Sequence, residues 1–246
     1  PILDNNNEIV ELIVSDEISN NHIENSIVIM AGGFGKRLQP YTQDIPKPLV
    51  ILKNKPLIMH VIDNIKDSGF KNIIISLYHK SDLVINYIEK QNLPLNIEYL
   101  VEKKPLGTIG SLSLIKNKIK NDFLLTNCDV VTNLDYSKLL NFHQVNKNLF
   151  TIAIKKYSFS IEYGVVKIKK NKISNFIEKP QHQELVSTGV YAINPQLIKN
   201  LTKNKRLDVN LFIDNLKNQN INISPFLLYE EWDDVGKVED LNRLKI

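Results

Sequence analysis

Between Ser26 and Leu49 the chain gathers residue types suited to handling phosphate. An apolar run, Ile27 to Met30, breaks into Gly32, Gly33 and Gly35, then delivers Lys36 and Arg37, and later Lys47 between Pro46 and Pro48. The glycines remove side chains that would keep backbone N–H groups away from an anion, and the cations neutralise the charge that a polyphosphate brings. The spacing is neither the helix-opening GxGxxG of dinucleotide folds nor the GxxxxGK[ST] of P-loop proteins. Far downstream stand two acidic groups, Asp129 after the apolar run Phe123 to Thr126, and Asp234 within Trp232-Asp233-Asp234-Val235-Gly236. A carboxylate at the end of a buried strand is a natural ligand for Mg2+, a hard cation that prefers carboxylate, phosphate and water oxygens. Each also has a plainer use, Asp129 as a helix cap and the Asp233-Asp234 pair as an acidic helix start.

These residues need a scaffold, and the pattern around them alternates strands with helices. Residues 56–68 place Leu57, Ile58, Val61, Ile62 and Ile65 on one helical face, with Pro56 suited to the first turn and Gly69 to the C-terminal cap. Asn72 to Leu77 reads as a buried strand, Ser81 to Lys90 as a helix and Ile97 to Val101 as the next strand. Such alternation implies an α/β fold, a mostly parallel sheet with helices on both faces and ligands at the strand C-terminal ends. Tyr136 to Val145 reads as a helix, and from Phe150 the pattern turns to strands. Tyr163 to Lys169 and Lys172 to Glu178 form a hairpin signal around Lys170-Asn171. Helices at Pro195 to Leu201, Val209 to Asn218 and Lys237 to Leu244, with a strand at Ile221 to Leu228, complete the pattern.

Residues 1–24 read apart from the main unit, residues 25–246. Two short apolar runs, Pro1-Ile2-Leu3 and Ile9 to Val14, flank a turn-rich segment, and Ser15 could cap a helix start.

Composition narrows the function classes. With 246 residues and 43% hydrophobic residues, the chain can build one sizeable core. The net charge of +4 comes from interspersed lysines, which suits small anionic substrates and gives no footprint for nucleic acid. The single cysteine, Cys128, excludes an internal disulfide and any CxxC site, and the 5 histidines lack ligand-like spacing. No apolar run approaches the ~18 residues of a membrane span and no leading signal peptide is read, so the expectation is a cytoplasmic protein that does not partner a membrane.

With Leu38, Pro40 and the Pro46-Lys47-Pro48-Leu49 run, the glycine loop resembles the signature of sugar-phosphate nucleotidyltransferases, and among them the mannose-1-phosphate guanylyltransferases. Those enzymes couple a sugar 1-phosphate to a nucleoside triphosphate and release pyrophosphate. The resemblance runs from Ser26 to the C-terminus through six motifs in order. Glu102-Lys103-Lys104-Pro105-Leu106-Gly107-Thr108-Ile109-Gly110 is similar to the family's base-contacting loop, with Ile109 in place of a small residue. Tyr163-Gly164-Val165-Val166 and Glu178-Lys179-Pro180 resemble its sugar motifs. Ser187-Thr188-Gly189-Val190-Tyr191 resembles its NAGVY strand, with serine and threonine where asparagine and alanine are usual. Residues 1–18 are similar to the last hairpin and helix start of a CBS repeat, which implies a longer chain with a regulatory CBS pair ahead of residue 1.

The resemblance implies a Rossmann-like three-layer fold with a smaller β-rich sugar-binding part. It implies Ala31, Gly32, Gly33, Gly35, Lys36, Arg37, Glu102, Pro105, Gly107 and Thr108 as nucleotide contacts. Gly164, Glu178, Lys179, Ser187 and Gly189 would be sugar contacts, Asp129 and Asp234 the Mg2+ ligands, and Arg37, Lys47, Asp129 and Lys179 the catalytic set. Guanine offers two adjacent donors that a carboxylate can accept together, so Glu102 favours GTP as the triphosphate partner. The sugar 1-phosphate would be that of mannose or glucosamine, for glycan precursors; a homo-oligomer is left open. Alternatives are uridylyl or thymidylyl transfer on the same fold, and a catalytically silent sensor of nucleotide sugar. A glycosyltransferase would be expected to carry a DxD motif, which neither Asn127-Cys128-Asp129 nor Asp233-Asp234 supplies.

Overall fold

The computed structural model describes Ile2–Leu3, Ile9–Glu11 and residues 23–245. β1 (Ile2–Leu3) and β2 (Ile9–Glu11) pair antiparallel, in line with the hairpin signal, while the helix start read at Ser15 lies outside the described residues.

The main body is organised around β3 (Ile23–Met30). Its β-branched residues alternate between two apolar layers: Ile27 and Ile29 enter one core, Val28 the other, and all three are fully buried. A tight hairpin, β4 (Ile51–Leu52) and β5 (Lys55–Pro56), precedes α1 (Leu57–Asp67). Leu57, Ile58, Val61, Ile62 and Ile65 of α1 are buried, as the helical spacing predicts, and Gly69 takes a positive φ of 87° just past its end. The chain continues through β6 (Phe70–Leu77), α2 (Ser81–Glu89) and β7 (Asn96–Val101), then crosses back through a four-residue α3 (Gly107–Gly110) and a 3-10 turn, Ser111–Leu114.

Next come β8 (Phe123–Asn127), the short β9 (Val130–Thr132), α4 (Tyr136–Val145), β10 (Phe150–Ser160), β11 (Val165–Lys169), β12 (Lys172–Ile177) and β13 (Gln181–Ile193). α5 (Val209–Asn218), β14 (Ile223–Leu228), β15 (Trp232–Asp234) and α6 (Val238–Lys245) follow. The seven-stranded sheet has the order β14-β10-β13-β8-β3-β6-β7, and every neighbouring pair is parallel except the two made by β13. Side chains of α1, α2 and α4 join the core on one face, and those of α3 and α5 the core on the other, giving three layers.

One expectation changes. The helix read at 195–201 is a single 3-10 turn, Pro195–Ile198, started by the Asn194 side chain accepting from Gln196 N at 3.1 Å. Thr108 lies inside α3, which stays short because Gly107 sits at φ 76° and Gly110 is a poor helix former. β10 and β13 also run past the core as an exposed two-stranded ribbon beyond about Lys156, with the β11–β12 hairpin between them. No described helix is long and apolar enough to cross a membrane.

His143 on α4 is fully buried, its Nδ1 2.8 Å from Thr151 Oγ1 and its Nε2 without a hydrogen-bond partner. Burial lowers its pKa, against the opposing pull of Asp122. The folded value lies below the unfolded one of about 6.5, so the unfolded chain binds the proton more readily. Its contribution to stability is therefore present above that unfolded value and is lost as pH falls through it towards the folded value. Thermal unfolding followed by circular dichroism should show that, between about pH 7.5 and about pH 5.5, the melting temperature of the unmodified protein falls relative to that of His143→Gln, the raised pKa of Asp234 acting in the opposite sense in both. Equal slopes in the two proteins would contradict this.

Candidate active site

The chain runs from β3 outward to β7 on one side, then returns to place β8 on the other side of β3. This reversal opens a crevice at the strand C-terminal ends. Met30 and Asn127, the last residues of β3 and β8, are register partners, and Cys128 N donates to Met30 O at 3.1 Å. The glycine loop and Asp129 therefore leave the sheet side by side. β15 then pairs antiparallel with β9, setting Asp234 opposite Val130, and Val235 N donates to Asp129 O at 3.0 Å. Two carboxylates about a hundred residues apart in sequence are brought together by these few backbone bonds.

Lys47 reaches this pair from its own 3-10 turn, Lys47–Leu49, and forms an ion pair with Asp129 Oδ2; only 12% of each side chain is exposed. Burial opposes the lysine charge, but Asp129 and, more weakly, Asp234 outweigh it and raise the Lys47 pKa. Asp234 is pushed up to about 6 by burial, then by the Asp129 charge and a hydrogen bond with it, with Lys47 and Arg37 opposing. Arg37 lies beside Asp234: a Cβ added to Gly236 would be 3.3 Å from both Arg37 Nη2 and Asp234 Oδ1. The Cys128 thiol, buried and pushed up to about 12, is inert, in line with the sequence reading.

A cavity of about 440 Å³ opens from this cluster. Gly32, Gly33, Arg37, Lys47 and Asp129 line it together with Glu102 and residues 105–108, and Glu102 lies against the glycine loop, its Oε1 3.2 Å from where a Cβ on Gly32 would stand. The loop 102–108 is pinned to the sheet by Glu102, which is only 5% exposed. Its Oε1 accepts from Ser76 Oγ at 2.7 Å and its Oε2 from Leu106 N at 2.8 Å. Burial raises its pKa, and those two bonds lower it. Glu102 is thus a brace for the loop at least as much as a wall of the cavity.

The other loop residues support the cavity without lining it. Ala31 is buried, with its N–H on Ser76 O at 2.8 Å, and Lys36 holds its ammonium 5.7 Å from the centre of the Phe34 ring. The sugar-motif residues are spread over the ribbon. Glu178 and Lys179 are exposed at the foot of β12 and stand outside the cavity lining. The face of Gly164 is already covered: an added Cβ would lie 2.9 Å from Phe176 Cε2 and 3.0 Å from Glu178 Oε2. Ser187 Oγ shares a hydrogen bond with Tyr191 Oη at 3.1 Å. Gly189, at φ 77°, sits in a bulge of β13 against Asn127, and lies much nearer the carboxylate pair.

Sequence reading missed Arg206 and Asp208, both in the cavity wall. Their segment is bolted to the loop that carries Glu102 by Leu207 N donating to Leu106 O at 2.8 Å and by Ile109 N and Gly110 N donating to Leu207 O at 3.0 Å. The one-dimensional signal was an Asp ahead of an amphipathic helix, which reads as a cap.

The family described as nucleotidyl transferase matches residues 26–245. The mannose-1-phosphate guanyltransferase of Emericella nidulans is 33% identical over 184 residues, covering 71% of this chain and 50% of that protein. That of Saccharomyces cerevisiae is 30% identical over 223 residues, covering 87% of this chain and 62% of that protein. This chain spans about half the length of most of the curated relatives it matches. The crystal structure of HddC from Yersinia pseudotuberculosis superposes with a TM-score of 0.72 at 26% identity, over 90% of this chain and 98% of that one. The same protein complexed with GMP-PN gives 0.71 at 25% identity, over 90% and 98% of the two chains.

Gly35 is the loop position least able to accept a side chain. It sits at φ 66°, and an added Cβ would lie 2.9 Å from Lys47 Cβ and 3.0 Å from Thr42 Cγ2. Gly35→Ala should cost about 1–2 kcal/mol from the backbone alone, read as a lower urea midpoint. Gly33→Ala, which meets nothing within 4 Å, should leave the midpoint nearly unchanged.

Proposed function

Because the chain belongs to the nucleotidyl transferase family, we propose that it joins a nucleoside triphosphate to a sugar 1-phosphate, with GTP as the nucleotide and mannose or glucosamine 1-phosphate as the sugar. A phosphate oxygen of the sugar 1-phosphate attacks the α-phosphorus in line. The new O–P bond forms as the bond from the α-phosphorus to the β-bridging oxygen breaks, and pyrophosphate leaves. The attacking oxygen is already anionic at neutral pH, so no protein base is needed. What the protein must supply is positioning of two anions and cationic charge around phosphorus.

The observation that carries this reading is the Lys47, Arg37, Asp129 and Asp234 cluster beside a cavity lined by the glycine loop and by residues of the 102–108 loop. In this scheme Arg37 and Lys36 attend the leaving pyrophosphate, Lys47 the α-phosphate and Lys179 the sugar phosphate. Lys179 and Glu178 reach the reactants from the ribbon side. The carboxylate pair suits a divalent metal: a buried Asp129 and a solvent-facing Asp234 are held together, and Asp234 is pushed towards protonation by lost hydration and then by the Asp129 charge, which a cation would relieve. Among the described residues no three His, Cys, Asp or Glu side chains gather into a metal cage, so phosphate and water oxygens would complete the ligand shell. Magnesium held by Asp129 and Asp234 would withdraw charge from the α-phosphate. Guanine as the base is supported by the relatives' names, by the GMP-PN complex of the Yersinia protein, and by carboxylates in the cavity lining.

The test is pyrophosphate release with Mg2+ across GTP, UTP and dTTP, each offered mannose, glucosamine and glucose 1-phosphates. Release with GTP and one of the first two sugars is expected. Release confined to UTP or dTTP would keep the reaction and overturn the base, and silence throughout in folded protein would favour the sensor. Lys47→Met should lower kcat by about 10²–10³ in protein confirmed as folded at the assay temperature, with a lower melting temperature because Asp129 loses its partner. Near-normal turnover in that variant would remove Lys47 from the scheme.

A further inference from the structure

Asp208 occupies the position before α5 where an acidic side chain ordinarily caps the helix, yet its side chain makes no capping bond. It turns instead into the base-side wall of the cavity. There it lies so close to Gly107 that an added Cβ would overlap Oδ1, with Leu207 O another 2.8 Å away. Gly107 is also at φ 76°, so this loop residue is glycine on two counts. The other oxygen is tied down: Arg206 donates to Asp208 Oδ2 from Nε at 3.3 Å and from Nη2 at 3.1 Å. Oδ1 accepts no hydrogen bond and lies against Gly107, another residue of the cavity lining. Glu102 is in the opposite situation, because each of its oxygens already accepts a protein donor and it is nearly sealed from solvent.

The geometry points to Asp208 as a specificity-determining residue, whose free Oδ1 accepts a hydrogen bond from the exocyclic amine of guanine while Glu102 holds the loop in place. This rests on the guanylyl reading above. The segment is backbone-bonded to the 106–110 loop, so the acceptor is fixed relative to the base-side wall and needs no reorganisation to meet a donor. The guanidinium of Arg206 occupies Oδ2 and orients the carboxylate, and as a donor-only group it does not compete for the amine. A site built around an acceptor discriminates against an analogue lacking the matching donor.

The experiment compares GTP with ITP, which lacks the exocyclic amine, and with 2′-deoxy-GTP, which lacks a ribose donor, in the full chain and in Asp208→Ala. The unmodified protein should prefer GTP over ITP by at least about tenfold in kcat/KM. In Asp208→Ala that ratio should fall towards one, through loss with GTP and little change with ITP. Asp208→Asn, which keeps the size of the side chain, should move the ratio in the same direction. The ITP rate in each variant serves as the control for folding. A GTP/ITP ratio unchanged by both substitutions overturns the proposal, as does a collapse of the GTP/2′-deoxy-GTP ratio alone, which would place Asp208 on the ribose. Either result leaves the parent reaction standing, whereas absence of pyrophosphate from every pair in the unmodified protein sinks the parent reaction itself.

Discussion

Asp129 and Asp234 repel each other, and much of the local structure exists to hold them together. Lost hydration and then the Asp129 charge push Asp234 up to about 6, although its side chain still meets solvent. What opposes it is backbone: the parallel pairing of β3 with β8 that sets Asp129, and the antiparallel β9–β15 pairing that sets Asp234. Lys47 and Arg37 neutralise part of the charge, and the prolines beside Lys47 limit how far its backbone can move away. The cluster thus sets two carboxylates against two cations, Lys47 and Arg37, in a more fixed geometry than a surface ion pair would have. Such a place is suited to receiving a metal with its phosphates, since a divalent cation would relieve the carboxylate repulsion while the two protein cations meet the phosphate charge.

That fixed geometry comes from the two cores. Ile27 and Ile29 on one face of β3 and Val28 on the other are sealed completely, so the strand cannot slide by one residue without turning both sets to the wrong layer. At about 1.5–3 kcal/mol for each such aliphatic side chain, a register slip would cost far more than the carboxylate repulsion can supply. The apolar run that precedes the glycine loop is therefore what lets charged groups be held where they are unfavourable.

The same division explains what was legible in the sequence. The β3 run, the α1 face from Leu57 to Ile65, α4 and α5 were readable because their signals are local periodicities. The loop at 31–37 and the two aspartates were readable because a long motif carried them. Arg206 and Asp208 were not readable, because their place in the wall depends on three backbone bonds between segments about a hundred residues apart. Glu102, read as a base contact, lines the cavity, and its bond to Ser76, a residue with no motif of its own, was not legible and makes it a brace for the loop. The helix read at 195–201 failed for a simpler reason: a proline and an Asn cap mark where a helix can begin, and nothing in them sets how long it runs.

The ribbon carrying Glu178 and Lys179 is exposed along most of its length, so its position relative to the carboxylates has to be set at its root. There β13 bulges at 188–190, and Thr188 is the hub of the bulge. Its hydroxyl donates to Ala153 O at 2.8 Å, inside the sheet, and its carbonyl accepts from Trp232 Nε1 at 2.9 Å. Trp232 opens β15, the strand that ends in Asp234. A shift of the ribbon at its root is therefore transmitted to the strand that presents one of the two carboxylates. The threonine at this position, a departure from the alanine of the resembled motif, supplies the sheet-side bond that an alanine could not make. The sugar side and the carboxylate pair, read as separate motifs along the chain, are in this way joined through one residue and one indole.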